Sequence, residues 1–256
     1  MNETQIRFIG IDPFAKEGSF TYSILDEECQ MIVIDESDIT SIQSIIPLKR
    51  QVYVAVNGPR RPNLGLVKKE LSNLELLPGQ KRGNDLRMAE KLIRDMGINI
   101  YATPSKEELC PEWMHLSFLI FDELTRLGFS PFPTIMNDWQ WMETHASTIF
   151  LSTIGQKPLP KSTIEGRLQR QLSLFDSGVG IQNPMMFFEE ITRHKLLKGL
   201  FPFDIVYSPE QLDSLSAAYV AFLAASNSNS IELVGSEEEG LIVIPIQSKA
   251  ADKPTG

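Results

Sequence analysis

Cysteine, histidine and long apolar runs are what this chain has least of. It carries two cysteines, Cys29 and Cys110, and three histidines among 256 residues. The cysteines stand in unrelated contexts. That excludes a disulfide framework and a cysteine metal site, and it suits a reducing cytoplasm. The longest apolar candidate, Leu116 to Phe121, is far too short to cross a bilayer. The first residues, Met1 to Gln5, show no basic stretch followed by an apolar one, so no signal peptide is expected. A cytoplasmic location with no membrane partner follows as the expectation. Positive charge is also short, with a formal net charge of -9. That argues against sequence-blind binding of nucleic acid over the whole surface and leaves a local basic groove open.

What is present is ordinary for a globular chain: 42% hydrophobic and 22% charged residues. The length fits one large domain or two small ones. The pattern favours a single domain over residues 1–247, with a β-hairpin at 231–246 and a polar, disordered tail at 248–256. Residues 5–12 read as a strand that ends in a carboxylate, Asp12. Residues 19–25 alternate with period two and residues 29–34 are a third, more apolar strand, so a three-stranded antiparallel meander is expected. A short helical turn over 37–46 precedes a fourth strand, 51–56, which stops at Asn57-Gly58-Pro59. The stretch 60–83 reads as a long loop. Asn84 is placed to cap a helix over 86–96, and 98–102 reads as a short strand. An amphipathic helix over 112–127 leads to a strand at 139–144 and a helix over 147–154. Ser162 with Glu165 makes a capping box for the next helix. Asn183 and Pro184 open one that runs to Gly199. Ser208, Pro209 and Gln211 open the last.

Three acids end or begin these elements at comparable places. Asp12 closes the first strand, Glu143 closes Trp139-Gln140-Trp141-Met142-Glu143, and Asp213 lies near the start of the last large helix. Gly10 leaves one side of the first strand open to close approach. Ser214, Ser216, Ala217 and Ala218 are small, so that helix can sit close to a sheet and bring Asp213 over the strand ends. Three buried acids together repel one another and raise their pKa values unless a cation lies among them. Mg²⁺ or Mn²⁺ suits an all-oxygen site. Two such ions about 3.5–4 Å apart can activate a water and stabilise the leaving oxygen of a phosphodiester.

The words Gly10-Ile11-Asp12, Val54 to Pro59, Met142 to Ala146, Pro160 to Arg167 and Leu212 to Tyr219 are, in that order, similar to a family of uncharacterised bacterial and archaeal proteins. Members of that family are predicted to be nucleases of the RNase H-like fold, related to Holliday-junction resolvases. The resemblance spans roughly Phe8 to Ala225. It implies an α/β fold in which three antiparallel strands are followed by alternating helices and strands, forming a mixed sheet flanked by helices. It also implies a metal-dependent nuclease whose catalytic and metal-binding residues are Asp12, Glu143 and Asp213. One departure stands out: Asn57 takes the place where the family usually shows aspartate, so three carboxylates remain and metal binding is weakened. Asn57 still offers a carbonyl oxygen.

Other residues have roles to test. His145 follows Glu143 by two positions and is placed to orient a water or touch a phosphate. Lys161 and Arg167, in the family word, are candidates for holding a phosphate near a helix start. Arg170 is expected on a solvated face. Glu190 with His194, and Glu189 with Arg193, have helix-surface pairing distances. His115 has no convincing partner. Trp113, Trp139 and Trp141 are better suited to the core than to stacking on bases. Two functional alternatives stay open: a non-catalytic interaction module that kept the scaffold, and an actin-like phosphotransferase. The latter is disfavoured because the turn after Asp12 lacks the Gly/Thr richness that cradles phosphate. A nucleic-acid partner of unknown type follows from the first reading, and a homodimer is left open.

Overall fold

The computed structural model describes residues 6–14, 18–47, 50–72 and 85–246. Asn84, expected as a helix cap, and the tail from residue 248 lie outside them. The chain runs β1 (Ile6–Asp12), β2 (Ser19–Leu25), β3 (Met31–Asp38), α1 (Ile42–Ile45), β4 (Gln51–Val56), α2 (Leu66–Ser72), α3 (Met88–Asp95), α4 (Glu112–Arg126), β5 (Ser130–Pro131) and β6 (Trp139–Thr144). It continues with α5 (Ala146–Ile154), α6 (Ile164–Asp176), α7 (Met186–Glu189), α8 (Arg193–Leu197), α9 (Pro209–Ser226), β7 (Ile231–Ser236) and β8 (Gly240–Pro245). The fold is mixed α/β. One eight-stranded sheet has the order β3-β2-β1-β4-β6-β8-β7, with β5 paired to β6. β1, β2 and β3 are antiparallel neighbours, as the meander required, whereas β4, β6 and β8 run parallel to β1. The C-terminal hairpin extends this sheet, with β8 joining β6 in parallel. No described helix is long and apolar enough to cross a membrane.

Side-chain parity sorts the sheet into two faces. Ile9 and Ile11 of β1, Val52, Val54 and Val56 of β4, and Trp141 of β6 pack with Leu116, Ile120 and Leu124 of α4. Phe8, Tyr53, Ala55 and Met142 face the other way, into a core built on Leu212, Leu215, Ala217, Ala218 and Ala221 of α9. Helices α5 and α6 also pack against α9, so a helix with so many small residues is buried over most of its length. The close approach expected of Gly10 is present. A Cβ at Gly10 would lie 1.9 Å from Ser214 O and 2.3 Å from Ala218 N. Only a glycine admits backbone there.

Several local expectations differ in detail. The helix read over 183–199 is broken. Asn183 Oδ1 accepts from Met185 N at 2.9 Å in an Asx turn, and Thr192 starts a second helix by accepting from Lys195 N. Residues 98–102 form no ladder. Their neighbours are side chains instead: Arg94 donates to Ile100 O at 2.7 Å. The cap of α6 is Thr163, one residue after Ser162, and accepts from Gly166 N at 3.1 Å. The capping box of α9 is as expected, with Ser208 and Gln211 bonded reciprocally and Pro209 at the first position. The stretch read as a long loop contains α2.

Gly10→Ala is expected to lower stability by about 3 kcal/mol or more, because the α9 backbone leaves no room for the methyl group. Urea unfolding at an unchanged m-value measures it; a loss below about 1 kcal/mol contradicts the contact.

Candidate functional site

Asp12 ends β1 on the α9 face. Asn57 follows β4 on the same face, its backbone N–H donating to Ile11 O at 2.8 Å. Asn57 Nδ2 donates to Asp12 Oδ1 at 2.8 Å, and Ala146 N donates to Asn57 Oδ1 at 2.9 Å. A backbone N–H can only donate, so this bond fixes the amide: its nitrogen faces Asp12 and its oxygen faces the start of α5. Asn57 therefore orients Asp12, and its carbonyl is already engaged. The other oxygen, Asp12 Oδ2, is buried and has no hydrogen-bond partner among the described residues.

Asp213, in the first turns of α9, sits against the same group because α9 is pressed onto β1. Lys161 Nζ donates to Asp213 Oδ2 at 2.8 Å. A cavity of about 220 Å³ opens there, lined by Phe14, Asn57, Tyr101, His145, Lys161 and Asp213, with Arg170 and the start of α5 completing it. It lies beyond the carboxyl ends of β1 and β4, the edge of a parallel sheet where ligands commonly bind.

The electrostatics are those of a crowded pair. Burial pushes the Asp12 carboxyl well above the usual carboxylate range, and the charge of Asp213 pushes it further. The Asn57 hydrogen bond and Lys161 oppose this without reversing it. Burial raises Asp213 too, against the pull of Lys161. Burial, with the Lys161 ammonium beside it, pushes the His145 imidazole down to about 3. His145 is thus neutral near pH 7 and is no cation for a phosphate.

Glu143 is elsewhere. In the ladder Ile11 pairs with Val56 and Val56 with Glu143, so Glu143 points to the face opposite Asp12. Its oxygens are held by Arg87: Nη1 donates to Oε2 at 3.0 Å and Nη2 to Oε1 at shorter range. Arg60 N adds a bond to Oε2 at 3.3 Å. Arg87 is fully buried and also donates from Nε to Glu90 Oε1 at 2.9 Å. Burial acts to lower the Arg87 pKa, but Glu143 and Glu90 together outweigh it and raise it well above the ordinary range. The expected three-acid cluster is therefore corrected to a pair. Among the described residues no three His, Cys, Asp or Glu side chains gather as a metal would need.

Arg167 is corrected as well. Its guanidinium donates to Tyr207 O at 2.7 Å and Val206 O at 2.6 Å, which ties α6 to the segment entering α9. Arg170 is largely buried rather than solvated, donating to Leu159 O and Gly166 O at 2.8 Å and lying over the Phe150 ring. Trp139 and Trp141 pack in the core, as expected, against Phe129 and Phe121. Trp113 stacks on Phe14 at 4.1 Å. His115 lies 3.8 Å from Glu107, and Glu190 pairs with Lys195 rather than with His194.

Sequence reasoning missed Arg87, whose signal was an arginine three residues before Glu90 at the entrance to an apolar stripe. It missed Phe14, over whose ring Lys161 Nζ lies at 5.5 Å. It also missed the buried carboxylate of Glu239, which accepts from Leu64 N, Leu66 N and Met88 N and so ties α2 and α3 to the β7–β8 turn. Compared with family models, with curated proteins and with solved structures, the chain matches none.

Two predictions follow from this geometry. Glu143→Gln leaves the buried Arg87 short of a charge partner and is expected to cost about 3 kcal/mol by denaturant unfolding. A neutral outcome contradicts the ion pair. Asp12→Asn keeps the bond from Asn57 and removes the repulsion. The folded-state pKa of Asp12 lies above its ordinary 3.8. Its contribution is therefore fully present below that value and is lost as pH rises through the folded pKa. His145 acts oppositely. Its stability is present above the ordinary 6.5 and is lost as pH falls toward about 3. In metal-free buffer Asp12→Asn is expected to be more stable than the native chain by about 1–3 kcal/mol near pH 7. The gain should shrink as pH falls toward 4, and a gain independent of pH contradicts the assignment.

Proposed function

We propose that this chain is a divalent-cation-dependent nuclease of RNase H-like architecture, with Asp12 and Asp213 holding the cation. The observation that carries the reading is the buried Asp12 Oδ2, without a partner among the described residues and beside a second buried carboxylate. Such an oxygen is costly to bury unless a ligand satisfies it. The donor set fits the group. Mg²⁺ keeps several waters and is commonly bound through one or two carboxylates together with substrate phosphates, so a pair of acids is enough for one ion. Three antiparallel strands followed by β4, β6 and β8 in parallel, with an acid closing β1, support the RNase H-like assignment. The resemblance of the words around Asp12, Asn57, Lys161 and Asp213 supports it independently.

When bound, the cation would supply charge neutralisation and Lewis acidity at a phosphoryl oxygen. The chain's own groups do the rest. Asn57 holds Asp12 in one orientation. Lys161, half-exposed at the cavity, provides a positive charge for a phosphate. His145, neutral and buried, is positioned to accept a hydrogen bond from a water. Glu143 takes no part and serves as the counter-ion of Arg87. A second reading, a non-catalytic module on the same scaffold, is favoured by the ion pair of Lys161 with Asp213 and by Asn57 at the strand end.

Calorimetric titration with Mn²⁺, followed by cleavage assays on labelled single-stranded and branched DNA and on RNA, tests the proposal. Binding is expected in the native chain. Asp12→Ala should reduce cleavage at least about 100-fold. Absence of binding at millimolar Mn²⁺ overturns the nuclease reading; binding without cleavage of any of these substrates leaves the non-catalytic module.

A further inference from the structure

Lys161 already does part of what a metal would do. Its Nζ lies 2.8 Å from Asp213 Oδ2, and its charge also acts on Asp12 and Glu210. It is the ammonium of a cavity whose lining otherwise offers the Asp213 carboxylate, the Asn57 amide, the neutral His145 imidazole, the Arg170 guanidinium and aromatic rings. Arg170, the other cation there, has Nη1 engaged by the carbonyls of Leu159 and Gly166. Lys161 is not rigidly buried: its side chain is 47% exposed, against 5% for that of Asp213. It stands in the turn before α6, where Pro160 O packs so closely on Gly166 that a Cβ there would lie 2.0 Å away. That contact holds the backbone of the turn, from which the half-exposed side chain reaches Asp213.

We infer that Lys161 is the resident counter-ion of the Asp12–Asp213 pair, and that a divalent cation enters only by displacing its ammonium from Asp213 toward the cavity mouth. This rests on the cation-binding reading above and deepens it. The charges decide the matter. With both carboxylates ionised, as a bound cation requires, one ammonium brings the charge of this sheltered site to about -1. A divalent ion added beside an ammonium that stayed would make it about +1, with like charges in contact. The ion and the ammonium therefore compete for Asp213. The displaced ammonium remains over the Phe14 ring side of the cavity, 5.5 Å from that ring in the present arrangement, where it can meet an oxyanion. Lysine, a compact charge on a flexible stem, suits such an exchange better than a forked guanidinium.

The test is calorimetric titration of Mn²⁺ into the native chain and into Lys161→Gln, at one pH and ionic strength. The variant is expected to bind at least tenfold more tightly. Equal or weaker binding by Lys161→Gln, with the native chain binding, overturns this inference and leaves the cation site standing. Binding by neither protein overturns both. A second readout uses the native chain alone and decides the matter if the variant does not fold. Acetic anhydride labelling of Lys161, followed by mass spectrometry, should accelerate several-fold on adding Mn²⁺, because the amine is released from its bond to Asp213 and stands open to the reagent. Unchanged or slower labelling at saturating Mn²⁺ overturns the exchange.

Discussion

Backbone atoms of α9 occupy the space that a side chain at residue 10 would fill, and the candidate site depends on that contact. With Ser214 O only 1.9 Å from where a Cβ on Gly10 would be, helix and strand meet at backbone distance. Asp12 lies two residues beyond Gly10 on the same face of β1, and Asp213 directly precedes Ser214. Two carboxylates far apart in sequence are thereby forced together in a place with little water. The run of small residues in α9 that permits this also leaves the helix with few large side chains for its core, so α5 and α6 close over it. Packing and site are one construction. The repulsion between the acids is a local cost that the surrounding core sustains.

The opposite face tells a different story with the same chemistry. Glu143 is also a buried acid at the end of a strand, but it pairs with Val56, which in turn pairs with Ile11, and so projects away from Asp12. There it meets Arg87, with Glu90 and Thr103 completing a buried network. An ionised pair satisfied on both sides is a structural element. At Asp12, by contrast, one oxygen is bonded and the other is buried without a partner among the described residues, which is the observation the proposed cation site rests on. Hydrogen-bond accounting separates the two acids where residue type does not.

Much of the architecture was legible in sequence because local signals agreed with the fold. The period-two strand 19–25, the strands 51–56 and 139–144 and the capping box at Ser208 all stand where they were read. Gly10 and the small residues of α9 announced a close contact, and the structure has it. What could not be read was register. A strand-end acid points to one face or the other according to its pairing, and nothing local in Trp139 to Glu143 fixes that pairing. Arg87 was illegible for a related reason: its partner lies 56 residues away. Arg167 looked like a phosphate ligand, but its bonds go to two carbonyls that only the folded chain brings near. The helix over 183–199 failed on a local competition, in which Asn183 and Thr192 each turn the backbone by their own side chains.

Anomalous diffraction from a crystal soaked in Mn²⁺ tests the central claim most directly. The account predicts one ion bonded to Asp12 Oδ2 and to a carboxylate oxygen of Asp213, with Lys161 swung away and Glu143 still on Arg87. Density for the ion at Glu143, or none at Asp12 in a crystal whose cavity is open to solvent, would contradict it.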